Sequence, residues 1–252
     1  MPKLSIITIN YNNKAGLEKT IKSIITQSFK DFEFIVIDGA SNDGSVDVIH
    51  QHQDKIAKWV SEKDLGIYNA MNKGIGFAKG EYCLFLNSGD SLYESNTLEK
   101  VFATEPKEDI VYGNMLIDFS GKKVLGEMPD TITFEHMMAD TLWHPVSFIK
   151  RDLFAKYGNY REDLKIVSDY DFFIKAILVN KVSAKHIPVT ISIFPTDGMS
   201  SQSSNAELIK AEREKVQSGY FSKFVIDEFN AKKKKTSNGI WSKLFAKLIK
   251  TK

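Results

Sequence analysis

A single cysteine, Cys83, stands among the 252 residues, so no internal disulfide can form. It lies in an apolar run, where a thiol behaves as a small buried hydrophobe rather than as a nucleophile. No stretch of about 18 apolar residues occurs, which excludes a membrane-spanning helix. The N-terminus, MPKLSIITINYNN, has no charged region followed by a long apolar one, as a secretory signal would. The default expectation is therefore a cytoplasmic protein. No Gly-x-Gly-x-x-Gly follows the first apolar run, which argues against a dinucleotide oxidoreductase. Acidic residues are missing from one place: residues 232–252 contain eight lysines and no Asp or Glu. The other 231 residues carry 26 basic and 32 acidic groups, so the body is mildly acidic and the positive charge is terminal. That distribution does not suit nucleic-acid binding across a basic face.

The first 90 residues alternate apolar β-rich runs with helical stripes. Leu4–Ile9 reads as a buried strand, Leu17, Ile21, Ile24 and Ile25 as a helix face, and Phe32–Ile37 as a second strand. The Ser41–Ser45 turn then opens a helix reaching about Trp59, and Val60 begins a short strand. Ile67, Met71, Ile75 and Ala78 mark a third helix before the strand Tyr82–Leu86. This alternation predicts an α/β fold with a wound, mostly parallel sheet flanked by helices. Further on, a helix over Ser95–Ala103 is expected, then a hairpin around Phe119-Ser120-Gly121. Strand Val146–Ile149 and helix Ser168–Asn180 follow. Two short strands, Val182–Ile187 and Val189–Phe194, precede one long helix over Asn205–Phe229. The expected organisation is a domain over 1–204, split into a nucleotide-binding half (1–90) and an acceptor half (91–204). A C-terminal helix (205–230) and a basic amphipathic tail (231–252) complete it.

Chemistry-bearing residues gather where strands end. In an open α/β sheet that edge is the ligand crevice. Tyr11 and Asp38 follow strands there and read either as turn residues or as a base-stacking face and a ribose or base acceptor. Asp90 closes Asn87-Ser88-Gly89-Asp90 and reads as a cap or as the ligand of a hard cation that holds a diphosphate. Asp169, in Ser168-Asp169-Tyr170-Asp171, reads as part of a capping box or as a general base kept ionised by the helix dipole. His144 reads as a structural histidine or an acceptor contact, and Gly198–Ser201 as a linker or a lid. In the tail, Ile240, Trp241, Leu244, Phe245, Leu248 and Ile249 fall on one helical face and Lys243, Lys247 and Lys250 largely on the other. Behind Lys232–Lys235, that pattern suits a helix lying on an anionic membrane, with Trp241, Phe245, Lys243 and Lys247 as its contacts.

In order along the chain, LSIITINYNN, VIDGASNDGS and EKDLGIYNAMNKGIGFAKGEYCLFLNSGD resemble the donor-binding segments of family-2 inverting glycosyltransferases with the GT-A fold, of the bacterial surface-polysaccharide type. The resemblance covers about residues 3–200. It implies a hexosyl- or N-acetylhexosaminyltransferase using a nucleotide sugar, most commonly UDP-linked, and a divalent cation, Mn2+ or Mg2+. Carried over by position, the donor side is Thr8, Asn10, Tyr11, Asp38, Asp64, Asn72 and Asn87. The metal carboxylate is Asp90 and the base is Asp169. His144, Gly198 and Ser200 fall near acceptor or lid. Asn87 and Gly89 stand where the family commonly has acidic residues, and Ser168 where it commonly has Glu. The acceptor implied is a saccharide or lipid-linked saccharide, and the location the inner face of the membrane. A metal-dependent nucleotidyltransferase and a non-catalytic nucleotide-sugar-binding module are the alternatives.

Overall fold

The computed structural model describes residues 1–237. The N-terminal part runs β1 (Leu4–Asn10), α1 (Lys14–Ile25), β2 (Phe32–Asp38), α2 (Ser45–Gln51), β3 (Lys58–Ser61), α3 (Ile67–Phe77) and β4 (Tyr82–Phe85). It continues with β5 (Ser91–Leu92), α4 (Thr97–Phe102), β6 (Ile110–Phe119), β7 (Lys122–Gly126), α5 (Phe134–Ala139), β8 (Ser147–Lys150) and α6 (Asp152–Tyr157). Then come α7 (Ser168–Phe173), which runs on as a π-helix over Ile174–Val179, β9 (Ala184–Pro195), α8 (Ala206–Tyr220) and α9 (Lys223–Ser237).

One nine-stranded sheet carries the molecule, in the order β3-β2-β1-β4-β8-β6-β9-β5, with β7 paired to β6. All seven residues of β1 are buried, because helices cover both faces of the sheet at this strand. On one face Ile7, Ile9, Ile35 and Ile37 meet Met71 and Ile75 of α3. On the other, Leu4, Ile6, Phe34 and Val36 meet Leu17, Ile21 and Ile24 of α1 and Val48 and Ile49 of α2. This is the helix–sheet–helix layering expected of wound α/β chains.

The sheet is mixed, with the longest pairings parallel, as expected. β1 pairs parallel with β2 and β4, β2 with β3, and β6 with β9. The pairs β4–β8, β6–β8, β6–β7 and β5–β9 are antiparallel. The N-terminal strands are all parallel, β8 runs against both its neighbours, and β6 and β9 are parallel again. Three expectations are corrected. The second helix stops at Gln51, and Trp59 lies on β3 beside Val36. The two strands expected over 182–194 are one, β9; the register slips opposite Gly113, so Pro188, which has no N–H to give, sits at an irregularity. The long C-terminal helix is two, broken where Phe221 is extended and Ser222 starts the next turn.

Gly74 sets how closely α3 approaches the sheet, since a Cβ there would fall inside contact distance of Ile7 Cγ2. Ala gains about 1 kcal/mol in helix propensity over Gly, whereas overpacking a close-packed core costs about 1–3 kcal/mol. Gly74→Ala is accordingly expected to lose about 1 kcal/mol net, read as a lower urea midpoint at unchanged m-value. A rise in the midpoint would show that α3 can ride outward freely.

Candidate active site

Three strand ends meet at one edge. Asn10 of β1 is level with Asp38 of β2, and Ser88, just past β4, donates its N–H to Ile9 O. Asp38 is fully buried. Its Oδ1 accepts from Asn10 Nδ2 (2.7 Å) and Ser41 Oγ (2.6 Å), and its Oδ2 from Ser41 N (2.9 Å) and Ser61 Oγ (2.6 Å). Four donors fill a carboxylate's acceptor positions. Expected as a nucleoside contact, Asp38 instead ties the loops after β1, β2 and β3 together. Asn12 and Ala40 on those loops hold positive φ, 48° and 62°. Such backbone costs energy in non-glycine residues and clusters at functional sites.

The loops so fixed present Tyr11, 69% exposed, and Asp64. Tyr11 Cδ2 and Asp64 Oδ2 lie 3.2 and 3.1 Å from where a Cβ on Gly39 would stand, so they flank this glycine. Asp64 Oδ1 accepts from Lys73 Nζ at 2.6 Å, and Glu62 shares the same ammonium at 2.8 Å. Two other expected donor contacts have structural roles. Thr8 is buried and its hydroxyl donates to Leu86 O, bridging to the end of β4. Asn72 exchanges hydrogen bonds with the Tyr160 backbone and donates to Glu162, which staples α3 to the segment ahead of α7.

The loop Asn87–Asp90 is held by α1. Thr20 Oγ1 accepts from Gly89 N (3.0 Å) and donates to Asp90 O (2.6 Å), and Lys19 Nζ donates to Gly89 O (3.1 Å). Gly89 has φ 109°, which a side chain would strain. The Asp90 carboxyl is 6% exposed, and burial pushes its pKa up to about 7. The Asn87 N–H and the Lys19 charge oppose that rise, while Asp197 adds to it. Oδ1 of Asn87 and of Asn10 are buried without a partner. Among the described residues no group of three or more His, Cys, Asp or Glu could hold a metal ion. One buried, under-satisfied carboxylate beside an orphaned amide oxygen fits a cation whose remaining ligands are substrate phosphates and water. It does not fit an all-protein cage.

Asp169 opens α7. Its Oδ1 accepts from Tyr170 N (2.9 Å) and lies 3.0 Å from Tyr68 Oη, whose single proton it shares with Ile166 O at 2.5 Å. Burial raises its pKa, against the pull of those donors and of the Arg213 charge. The helix dipole was expected to favour its charged form; the rise stands against that field, and a raised pKa makes the carboxylate a stronger base. The expected capping box is absent: Val167 is the N-cap without a side-chain bond, Ser168 Oγ is buried and unpartnered, and Asp171 pairs with Arg161 at 3.2 Å. Tyr68 is the second residue of α3, whose lead-in carries Asp64. One helix thus joins the strand-end edge to Asp169.

His144 is not at an opening. It stacks on Phe85 and its Nε2 meets Tyr160 Oη at 2.8 Å; burial lowers its pKa to about 3, so it is a neutral core histidine. Gly198 and Ser200 lie on an exposed loop after β9. That loop begins at the strand-end edge: Pro195 Cγ is 3.6 Å from a Cβ position on Gly89, and Asp197 acts on Asp90. Trp241, Lys243, Phe245 and Lys247 fall outside the described residues. Tyr68, Lys73 and Asp197 were not anticipated. Tyr68 and Lys73 stood inside the quoted donor segment, whereas Asp197 depends on contacts across the fold.

The model of the family described as glycosyl transferase family 2 matches residues 5–163. A PGL/p-HBAD biosynthesis glycosyltransferase of Mycobacterium tuberculosis is 30% identical over 201 residues, 77% of each chain. Among solved structures, S. aureus TarS 1–349 in complex with UDP-GlcNAc superposes with a TM-score of 0.68 at 19% identity, covering 90% of this chain and 70% of that one. The mannosyltransferase PcManGT of Pyrobaculum calidifontis, in complex with GDP-Man and Mn2+, gives 0.58 at 17%, covering 76% and 56%. With a mixed sheet matching GT-A glycosyltransferases and a family match over most of its length, the chain belongs to glycosyl transferase family 2 and is a glycosyltransferase.

Proposed function

We propose that this glycosyltransferase moves a sugar from a UDP-linked donor to a hydroxyl of a saccharide or lipid-linked saccharide, with inversion at the anomeric carbon. The observation that carries the reading is the bridge made by α3, which sets Asp64 beside Tyr11 and Gly39 at one end and hands Tyr68 to Asp169. In this reading Tyr11 stacks on the base, and Asn10 and Asn87 offer their unpartnered amide oxygens to the donor. Asp64, oriented by Lys73, faces the donor. Asp90 would hold the cation, which when bound supplies charge stabilisation to the departing diphosphate. Asp169 takes the proton from the attacking hydroxyl. That hydroxyl bonds to the anomeric carbon from the face opposite the leaving group, whose electron pair departs with UDP. The Gly198–Ser201 loop, starting beside Gly89, acts as the lid. The TarS complex with UDP-GlcNAc supports the donor class by likeness of fold.

Asp169→Asn is expected to keep nucleotide binding but lower kcat by about 10²–10⁴-fold, the range of general-base contributions. UDP release measured over a panel of UDP-sugars and acceptors checks this; turnover within a few-fold of wild type would assign Asp169 to structure alone.

Asp90 keeps its proton to about pH 7 in the fold, against 3.8 ordinarily. Between those values the native state binds more protons, so its contribution to stability falls as pH rises from about 4 to 7. The loss is on the order of 2–4 kcal/mol. His144 works in the opposite sense, its stability being lost as pH falls below its ordinary 6.5. Comparing wild type with Asp90→Asn cancels that term. Without cation, the variant is expected to melt higher than wild type at pH 8 and alike near pH 4. Added Mn2+ should raise the wild-type Tm at pH 8 and leave the variant's unmoved. Parallel pH profiles for the two proteins would contradict Asp90 as the cation carboxylate.

No helix among the described residues is long and apolar enough to cross a membrane. The basic, amphipathic pattern of the terminal residues supports a peripheral seat on an anionic surface. Deleting residues 238–252 is expected to abolish sedimentation with anionic liposomes, and undiminished sedimentation would contradict it.

A further inference from the structure

The segment that delivers Asp169 carries three consecutive backbone N–H groups aimed at one carboxylate from a distant helix. Lys165 N donates to Glu212 Oε1 at 2.6 Å, and Ile166 N and Val167 N donate to Oε2 at 3.0 and 3.3 Å. Glu212, on α8, is only 7% exposed. Neighbours on the same helix hold the other side of the base. Arg213 lies 3.9 Å over the Tyr170 ring, and its Nη2 donates to Asp140 O at 2.9 Å. Gln217 Nε2 donates to Tyr170 Oη at 2.8 Å, and Lys215 pairs with Asp163 at 2.8 Å.

A buried carboxylate is retained only where donors repay its lost hydration. Here the donors are the backbone of the three residues that end two positions before Asp169. Val167 is also the N-cap of α7 and has no side-chain cap of its own, so Glu212 supplies the order that a cap would. The same stretch offers Ile166 O to Tyr68 Oη, the hydroxyl that also reaches Asp169. One anion therefore fixes both the backbone leading to Asp169 and the carbonyl that holds the Tyr68 hydroxyl beside it.

We propose that Glu212 is a positioning residue for sugar transfer, setting the direction in which Asp169 presents its carboxylate to the acceptor hydroxyl. This rests on the reading of Asp169 as the base. A mere anchor for α8 would instead affect stability and donor binding together.

The full-length protein carrying Glu212→Gln tests it. The amide is isosteric but offers one acceptor oxygen and turns its own N–H groups toward the backbone donors. Displacing a reacting group by about 1 Å can cost on the order of a hundredfold, so kcat is expected to fall about tenfold to a hundredfold. KM for the UDP-sugar and the Kd of UDP should stay within about twofold, since the donor edge does not contact α8. Glu212→Asp, which keeps the charge on a shorter reach, should fall between and serves as the second variant if the amide does not fold. Glu207→Gln, on the exposed first turn of α8, is the control and should leave kcat unchanged. In an Asp169→Asn background, Glu212→Gln should change the residual rate by less than about twofold, because a residue acting through Asp169 has nothing left to act on. An unchanged kcat in folded Glu212→Gln would overturn the proposal. So would an equal loss in both backgrounds, or a rise in KM and Kd in step with a fall in Tm. Full turnover of Asp169→Asn alone would contradict the base assignment, whatever Glu212→Gln does.

Discussion

Parallel, in-register pairing of β1 with β2 on one side and β4 on the other is the constraint from which the site follows. Because the three strands run the same way, their C-terminal ends emerge at one edge, and the chain must turn there three times. Everything polar at that edge is a consequence. Asp38 gathers donors from three turns, and Thr20 on α1 collects the carbonyls and N–H of the fourth segment, Asn87–Asp90. The reversals into and out of β8 restore the strand direction, and β9, parallel to β6, ends at the same edge, so that Pro195 and Asp197 come to lie by Gly89 and Asp90.

Carboxylates shielded from solvent differ in how completely their oxygens are satisfied, and Asp171, 2% exposed, is paired with Arg161 at 3.2 Å. Asp38 has four donors and Glu212 three, and both bind pieces of backbone together. Asp169 accepts from Tyr170 N and shares the Tyr68 proton with Ile166 O, both on one oxygen, and Asp90 is dominated by its own desolvation. Native interiors satisfy buried polar groups almost completely, so a deficit marks a group kept for something else. The deficits at Asp90 and Asp169 are what their proposed cation and base roles rest on, whereas Asp38 and Glu212 hold backbone segments together. The orphaned amide oxygens of Asn10 and Asn87 fall on the same side of the divide as Asp90.

The donor half was legible because its signals are local. The strands β1, β2 and β4 are short, mainly apolar runs, and turn formers follow them. What sequence could not resolve were interactions between distant segments. Thr8, Asp38 and Asn72 look like ligand contacts by position, but each finds a partner in another element, and only the assembled sheet reveals it. His144 was ambiguous for the same reason; four aromatic rings from separate segments, Phe85, Tyr160, Phe173 and the more distant Phe154, build the core around it. Trp59 was assigned to a helix because its own segment lacks a clear stop; pairing with Val36 decides it. The break at Phe221-Ser222 had a readable sign, a serine suited to starting a helix, which the continuous helical stripe masked.

The account stands on the strand-end edge being a site for a nucleoside diphosphate and a cation together. Calorimetric titration of the purified protein with UDP, GDP and dTDP, each with and without Mn2+, tests that directly. The predicted result is binding of UDP in preference to the others, and only when Mn2+ is present. Absence of binding by every nucleotide under both conditions would contradict it.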